Sequence, residues 1–345
     1  MIVEHFPDRT IKVEGKTYLY FGGTAYLGLP THKLFQKKLI QSITKWGSFY
    51  GSSRSSNIKL SIFNKAEEFF AKQIGAEASL TTSSGTLAGK LVLDCLSKTN
   101  AIFYHYPKTH PAILGTNSSP LFIKGKLHPN LLNDNKENIV ITADAVLALE
   151  VEPTSFSFLE QISKQKNITL LLDESHSLGI VGKEAKGLFN TISNKYLVRK
   201  IMVSSLGKAL GLSGGIIASD KDFIESMKSE TLFVSSSCAN PGYLEAYLQS
   251  QSLIKEQQQK LKENLDFLFN ELNSESTLKF NKNYPVIYCE NENIYDYLFE
   301  HKIIISNFKY PNYKGLMSRI VVTANHTKSD LQMLQNVLNK KKDAK

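Results

Sequence analysis

A few short runs hold the residues able to do chemistry. "ITLLLDESHSLGIVG" (168–182) opens as an apolar run and then presents Asp173, Glu174 and His176. Groups beyond the carboxyl end of a strand in an open α/β sheet face the crevice where ligands collect, which makes Asp173 a candidate site residue; the plainer reading is an aspartate capping the next turn. His176, taken alone, reads equally as a packed and satisfied histidine. Further on, "VSSLGKALGLSGG" (203–215) sets Lys208 among serines and glycines too small to pack around a long cation. An amine kept in open space beside a strand end can serve as a nucleophile or a base. Earlier, "SLTTSSGTLAGKLVL" (79–93) places small residues just before a helical run. Backbone N–H groups at such a helix start form a phosphate seat, although an N-cap by Ser84 or Thr86 would explain the same letters. The run lacks the glycine–lysine pair of a Walker loop. His110 stands in the loop "YPKTHPAILG" (106–115), and "GSSRSSN" (51–57) reads as a flexible surface loop.

The order of these signals says more than any one of them. A phosphate-type turn is followed by a loop histidine, a strand-end Asp-x-x-His and then a lysine among glycines. That order fits a pyridoxal phosphate site, where a lysine bonds to the cofactor aldehyde and a carboxylate stands beside the pyridinium nitrogen. Small residues around Lys208 would then let an aromatic cofactor approach the backbone.

The elements that must position these residues follow from periodicity. "TIKVEG" and "KTYLYFGG" read as short strands, residues 32–46 as a helix, and "SIFNKAEEFFAKQIG" as a second helix stopped by Gly75. From about residue 77 to 235, β-rich runs ("ASLTTSS", "NAIFYH", "PLFIKG", "NIVITAD", "ITLLLDE", "KIMVSS") alternate with segments able to form helices or crossovers. Such alternation predicts a mainly parallel sheet covered on both faces. Residues 240–274 read as a long helix, whole or broken, leading to a smaller α+β domain that ends in the helical "KSDLQMLQNVLNK". The division expected is 1–45 (strands and a helix packing with the small domain), 46–240 (the large cofactor-binding domain) and 241–345 (linking helix and small domain).

Composition narrows the classes of function. The 345 residues are 42% apolar and 10% aromatic, as in a folded globular chain. No apolar run long enough for a membrane span occurs, and the first ten residues do not resemble a signal peptide. Three widely spaced cysteines suit reduced thiols in the cytoplasm better than a disulfide framework or a metal knuckle. The net charge of +9 is scattered, part of it in the tail "NKKKDAK", which reads as solvated and mobile; with no arginine block interleaved with aromatics, it favours anionic small molecules over nucleic acid.

Several runs together resemble the α-oxoamine synthases, fold-type I pyridoxal phosphate enzymes that condense an amino acid with an acyl-CoA and lose carbon dioxide. "DESHSLGIVG" is similar to the family's D-E-A-H-S-x-G-x-x-G, and "SSLGKALGLSGG" to its T-x-G-K-A-x-G-x-x-G-G, with Ser205 in the threonine's place. "AYLGL" (25–29), "YGSSR" (50–54), "VSSSCANP" (234–241) and "SRIVVTANHTKSDLQML" (318–334) resemble further family segments in the same order. The resemblance implies that Lys208 bonds to the cofactor and later takes the Cα proton. It puts Asp173 on the pyridine nitrogen, His176 on the phenolic oxygen and His110 against the ring face. Gly85, Thr86 and Ser205 would bind the phosphate, joined by Ser236 from the partner subunit of a homodimer with shared sites. Arg319 would hold the amino acid carboxylate, and no metal is required. The partners implied are an amino acid and an acyl-CoA or acyl carrier protein thioester. The short chain points to members that join L-alanine to a pimeloyl thioester in biotin formation, the competitors being glycine with acetyl-CoA and serine with a long acyl-CoA.

Four runs depart from the family pattern. No N-terminal helix precedes the first strands, so Arg9 has no substrate-binding place to fill. "VLALEVEP" (146–153) stands where the family reads S-M-D-G-D, "SSGT" replaces an S-G-aromatic turn in the manner of aminotransferases, and "YPNYKG" (310–315) lacks the usual P-T-V-P-x-G. An aminotransferase therefore stays open as a reading, as does a non-catalytic scaffold.

Overall fold

The computed structural model describes residues 1–272, 278–291, 293–309 and 315–340. Strands β1 (Thr10–Val13) and β2 (Lys16–Phe21) are followed by helices α1 (Lys33–Trp46) and α2 (Ser61–Ile74). Then come β3 (Ala78–Thr82), α3 (Gly85–Ser97), β4 (Ile102–His105), the short strands β5 (Ser119–Pro120), β6 (Phe122–Ile123) and β7 (Lys126–Leu127), and the long β8 (Glu137–Asp144) and β9 (Lys166–Asp173). β10 (Arg199–Ser205), β11 (Gly215–Ser219), α4 (Lys221–Met227), α5 (Thr231–Ser235), α6 (Pro241–Gln249) and α7 (Gln251–Glu271) lead to β12 (Leu278–Phe280). The chain closes with β13 (Val286–Cys289), α8 (Ile294–Glu300), β14 (Ile303–Phe308), β15 (Met317–Val321) and α9 (Lys328–Lys340).

Two large sheets result. A seven-stranded sheet has the order β3-β11-β10-β9-β8-β4-β5, and a six-stranded one the order β1-β2-β14-β15-β13-β12. In the first, β4, β8, β9 and β10 run parallel, while β11 lies antiparallel between β10 and β3. The carboxyl ends of β3, β4, β8, β9 and β10 therefore share one edge. Strand alternation sends Val140 and Leu171 to one apolar layer and Ile139, Ile141, Leu170 and Leu172 to the other, so both faces are buried. The N-terminal β2 runs parallel to β14, which joins the first residues of the chain to its last strands.

The structure departs from expectation in three places. β11 is a strand in a run that was not singled out. The β8–β9 and β9–β10 connections form 3-10 turns (Ser157–Gln161, Lys183–Ala185, Phe189–Thr191, Asn194–Tyr196), with Phe158, Leu159 and Ile192 covering that face in place of an α-helix. Three glycines at positive φ (Gly179, Gly182 and Gly187) bend the second connection. Third, Arg54 does not belong to a free surface loop. Its guanidinium is buried against Glu67 at 2.8 and 3.0 Å and lies 4.0 Å over the Phe63 ring. Glu67 in turn accepts from the Thr81 N–H and hydroxyl, both at 2.8 Å, so this pair fastens α2 to β3 just before the small-residue turn. No helix among the described residues is long and apolar enough to cross a membrane. Residues 310–314 of "YPNYKG" and 341–345 of the basic tail lie outside the described residues.

A buried ion pair that loses one partner leaves an uncompensated charge. Arg54→Met should therefore lower unfolding stability by about 3 kcal/mol in urea titrations, and adding Glu67→Leu should recover much of that loss.

Candidate active site

The apolar run of β9 ends at Asp173, where the strand leaves the core. The Asp173 carboxylate is buried and accepts from the Ser175 N–H at 2.8 Å, as a turn-capping aspartate does. Directly beside it in the β8–β9 register lies Asp144, the last residue of β8. Burial first, and then the like charge of Asp173, push the Asp144 carboxyl well above its ordinary range. The N–H of His110 opposes that shift, donating to Asp144 Oδ2 at 2.9 Å. His110 is thus tied to the strand end through its backbone, and its ring Nδ1 accepts from the Ala112 N–H at 3.1 Å. Burial, with Lys208 and Lys90, lowers the pKa of this ring.

Lys208 enters from a tight loop after β10. The Leu206 N–H bonds to Gly214 O at 3.0 Å and the Leu212 N–H to Leu206 O at 2.9 Å, while Leu206, Ala209, Leu210 and Leu212 bury themselves. The apolar side chains anchor the loop, and the lysine is left to face the strand ends. Burial is the main cause lowering the Lys208 pKa; Asp173 and Asp144 pull it back up, and Arg319 pushes it down. Among the described residues its Nζ has no hydrogen-bond partner.

The start of α3 completes this edge. Ser84 caps the helix by accepting from the Leu87 N–H at 3.1 Å. A Cβ on Gly85 would stand 2.6 Å from the N and Cα of Ser205, so only glycine lets this helix begin against the end of β10. Ser205 Oγ accepts from the Gly207 N–H at 3.2 Å, and Thr86 is exposed on the first turn.

The six-stranded sheet faces the same cluster. Arg319, buried in the middle of β15, donates through Nη2 to Gly23 O at 3.2 Å, while its buried Nε has no partner among the described residues. Tyr26, at the loop after β2, brings its hydroxyl within 3.2 Å of His176 Nδ1. Burial, then Lys208, Arg319 and His110, push His176 well below its ordinary pKa. One cavity of about 410 Å³ is lined by Gly23, Thr24 and Ala25 and by Gly207, Gly211 and Leu212 of the Lys208 loop. A second, of about 270 Å³, is lined by Lys108, His110, Leu149, Glu150, Tyr288 and Ser318.

The structure therefore gathers Lys208, Asp173, His176, His110 and Arg319 into one cluster, with Gly85 and Ser205 at its edge. Ser236 is not drawn in by its own chain, since from just beyond α5 its hydroxyl donates back to Leu232 O. Arg9 lies elsewhere, in a bidentate pair with Asp330 at 2.8 and 3.0 Å. Glu174 turns away from the cluster, accepting from the Leu188 and Phe189 N–H groups at 2.7 Å each. In the altered "VLALEVEP" run, Ala148 O accepts from the Tyr288 hydroxyl and Glu150 pairs with Lys108 and Lys279. Sequence reading passed over Asp144 and Tyr26 as site residues. The strand-end rule that picked out Asp173 applies to Asp144 in "NIVITAD" as well.

A family model described as aminotransferase class I and II matches residues 154–338. A putative 8-amino-7-oxononanoate synthase from Trichodesmium erythraeum is 27% identical over 363 residues, covering 96% of this chain and 91% of its own. Among solved structures, a serine palmitoyltransferase from S. paucimobilis with bound PLP–myriocin aldimine superposes with a TM-score of 0.82 at 15% identity, over 99% of this chain and 91% of that one. An 8-amino-7-oxononanoate synthase from Francisella tularensis gives 0.71 at 24%, over 95% and 98%. At those identities the two structures speak for the fold.

The charges around Lys208 set a direction for each variant. In the cofactor-free protein, the pH midpoint for reductive methylation of Lys208 should lie below 10.5. Asp144→Asn removes a carboxylate and should lower it further, whereas Arg319→Met removes a cation and should raise it. Mass spectrometry of the labelled peptide reads all three.

Proposed function

The chain belongs to the class I and II aminotransferase family and is a pyridoxal phosphate-dependent α-oxoamine synthase, and within that activity we propose that it joins L-alanine to a pimeloyl thioester. Carbon dioxide and the free thiol would leave, and 8-amino-7-oxononanoate would form. The reading is supported by relatives bearing that enzyme's name that span nearly the whole chain. The observation that supports the cofactor chemistry is the meeting of Lys208, Asp173, His110 and His176 with Arg319, whose Nε has no partner among the described residues.

The residues present fit the cofactor. Gly85 lets α3 begin directly against Ser205, at a helix start whose N–H groups suit a phosphate, and Lys208 is an amine that burial favours in its neutral form. When bound, pyridoxal phosphate supplies an electron sink that stabilises negative charge at the amino acid Cα. Gly85, Thr86 and Ser205 would hold its phosphate, with Ser236 of a second copy reaching in. An interface there is supported by Phe49, Ile58 and Val234, exposed on segments that the Ser53 hydroxyl joins to Val234 O at 2.7 Å. Asp173 would keep the pyridine nitrogen protonated, His110 would wall the ring, and His176 would donate to the phenolic oxygen. Arg319 would grip the amino acid carboxylate through its Nε, which has no partner among the described residues. Lys208, with its lowered pKa, would take the Cα proton, leaving that carbon to attack the thioester carbonyl. The C–S bond breaks and the thiolate leaves. Loss of carbon dioxide and return of a proton to Cα give the aminoketone.

Thiol release from cofactor-loaded protein tests the pairing. It should require both L-alanine and pimeloyl-CoA or its carrier-protein equivalent, and should fall by about 10³-fold or more in Lys208→Ala. Release only with glycine and acetyl-CoA, or with serine and a long acyl-CoA, would move the substrate assignment within the same activity. Conversion of the cofactor to its amine form by an amino acid alone, with no thiol release from any pair, would point to transamination.

A further inference from the structure

His326 lies between the end of β15 and the start of α9, and its buried ring stacks on Phe21 with the centroids 4.1 Å apart. Both ring nitrogens meet the backbone. Nδ1 accepts from the Thr323 N–H at 2.9 Å, with the Thr323 hydroxyl 3.2 Å away, and Nε2 stands 3.0 Å from Tyr20 O. A peptide N–H can only donate and a peptide carbonyl can only accept. The two contacts therefore admit one form of the ring, neutral and with its proton on Nε2. Burial, which lowers the pKa of this ring, favours the same form.

That N–H ends where the site begins. β1 starts at Thr10, opposite Leu19, so Tyr20 is the first residue of β2 beyond that ladder. Its N–H still reaches Arg9 O at 2.9 Å, while its carbonyl is taken by His326. Phe21 is the last residue of β2 to pair with β14, and the chain then turns through Gly22 and Gly23, the latter at φ 72. Both backbone groups of Gly23 are gripped. The N–H donates to Ser306 Oγ at 3.1 Å, and the carbonyl accepts from Arg319 Nη2 at 3.2 Å. Ser306 and Arg319 are themselves opposite each other in the β14–β15 register. Past the turn, Tyr26 O accepts from the Ala324 N–H at 2.9 Å, so the His326 segment holds the chain on both sides of Gly22 and Gly23.

We propose that His326 is a positioning residue for Arg319: by donating from Nε2 to Tyr20 O it fixes the end of β2, and with it the Gly22–Gly23 turn whose carbonyl aims the guanidinium. Among the described residues, Gly23 O is the one hydrogen-bond acceptor that this guanidinium has, so a shift of the turn lets the side chain swing. His326 acts without touching Arg319. Only the amino acid readout below rests on the role given above to Arg319; the aim of the guanidinium does not.

His326→Gln and His326→Asn separate the two nitrogens. Glutamine carries its amide nitrogen at the reach of Nε2 and can keep the bond to Tyr20 O. Asparagine carries its amide oxygen at the reach of Nδ1, so it can keep the Thr323 N–H but leaves Tyr20 O without its donor. Both lose the stack on Phe21 alike. In full-length, cofactor-free protein, the reductive-methylation midpoint of Lys208 reports where Arg319 sits, since that cation lowers it. H326N should raise the midpoint toward that of Arg319→Met, and H326Q should leave it near wild type. In cofactor-loaded protein, H326N should raise KM for L-alanine about tenfold with KM for the thioester unchanged, and H326Q should restore it. Thermal melting checks that both variants fold. Ser306→Ala, which removes one half-buried hydroxyl from the same turn, should also raise the Lys208 midpoint, and it carries the test if H326N does not fold. A wild-type midpoint in H326N, or equal shifts in H326N and H326Q, would overturn the proposal; so would a wild-type midpoint in S306A where H326N does not fold. Absence of thiol release from any substrate pair, with the midpoints in the expected order, would count against the proposed reaction and leave the positioning role standing.

Discussion

Two carboxylates side by side at the buried ends of β8 and β9 set the terms for everything around them. Asp144 and Asp173 are paired in register, so neither can move away without breaking a parallel ladder. Burial, and after it the like charge of Asp173, raises the proton affinity of Asp144. A cation and N–H donors meet the pair from three directions. Lys208 arrives from the loop after β10, with Arg319 of β15 acting on it in turn, while the His110 and Ser175 N–H groups each bond one carboxylate. The same convergence keeps Lys208 from being a surface cation, since the apolar anchors of its loop bury it where its charge is costly.

The two sheets divide this work. The seven-stranded sheet supplies the lysine, the carboxylates, the histidines and the helix start behind Gly85. The six-stranded sheet and the loop after β2 supply Arg319 and Tyr26, which act on Lys208 and His176 from across the cleft. The six-stranded sheet itself is assembled from the chain's extremes: β2 lies beside β14, Arg9 pairs with Asp330, and Asn325 donates to Gly28 O at 3.1 Å. Gly28 lies at φ 63, and a Cβ there would stand 2.3 Å from the Asn325 side chain, so the "AYLGL" turn that delivers Tyr26 needs its glycine. Through that assembly the loop after the N-terminal strands brings Tyr26 to His176.

Legibility followed the range of the interaction. Lys208, Asp173 and Gly85 could be read because each follows a strand whose apolar run and small-residue turn are local. Asp144 was equally local but was passed over, since one strand-end aspartate carries no mark until its neighbour is known. Arg54 was misread as part of a free loop because its partner Glu67 lies on a helix, and glutamates on helices are ordinary. The connections between β8, β9 and β10 were expected to allow helices, yet they hold 3-10 turns, because tertiary packing of Phe158, Leu159 and Ile192 already covers that face.

By itself the sequence determined the chemistry on offer: an amine, a carboxylate, two histidines and a helix start, in an order that a parallel sheet brings to one edge. That much is local, since strand alternation and small-residue turns act over a few residues. Tertiary structure alone decided the protonation and orientation of those groups. The Asp144–Asp173 pairing, the Tyr26–His176 contact and the action of Arg319 on Lys208 join residues far apart in the chain. Desolvation and charge at a distance depend on what folding brings near, and spacing along the sequence does not carry that information.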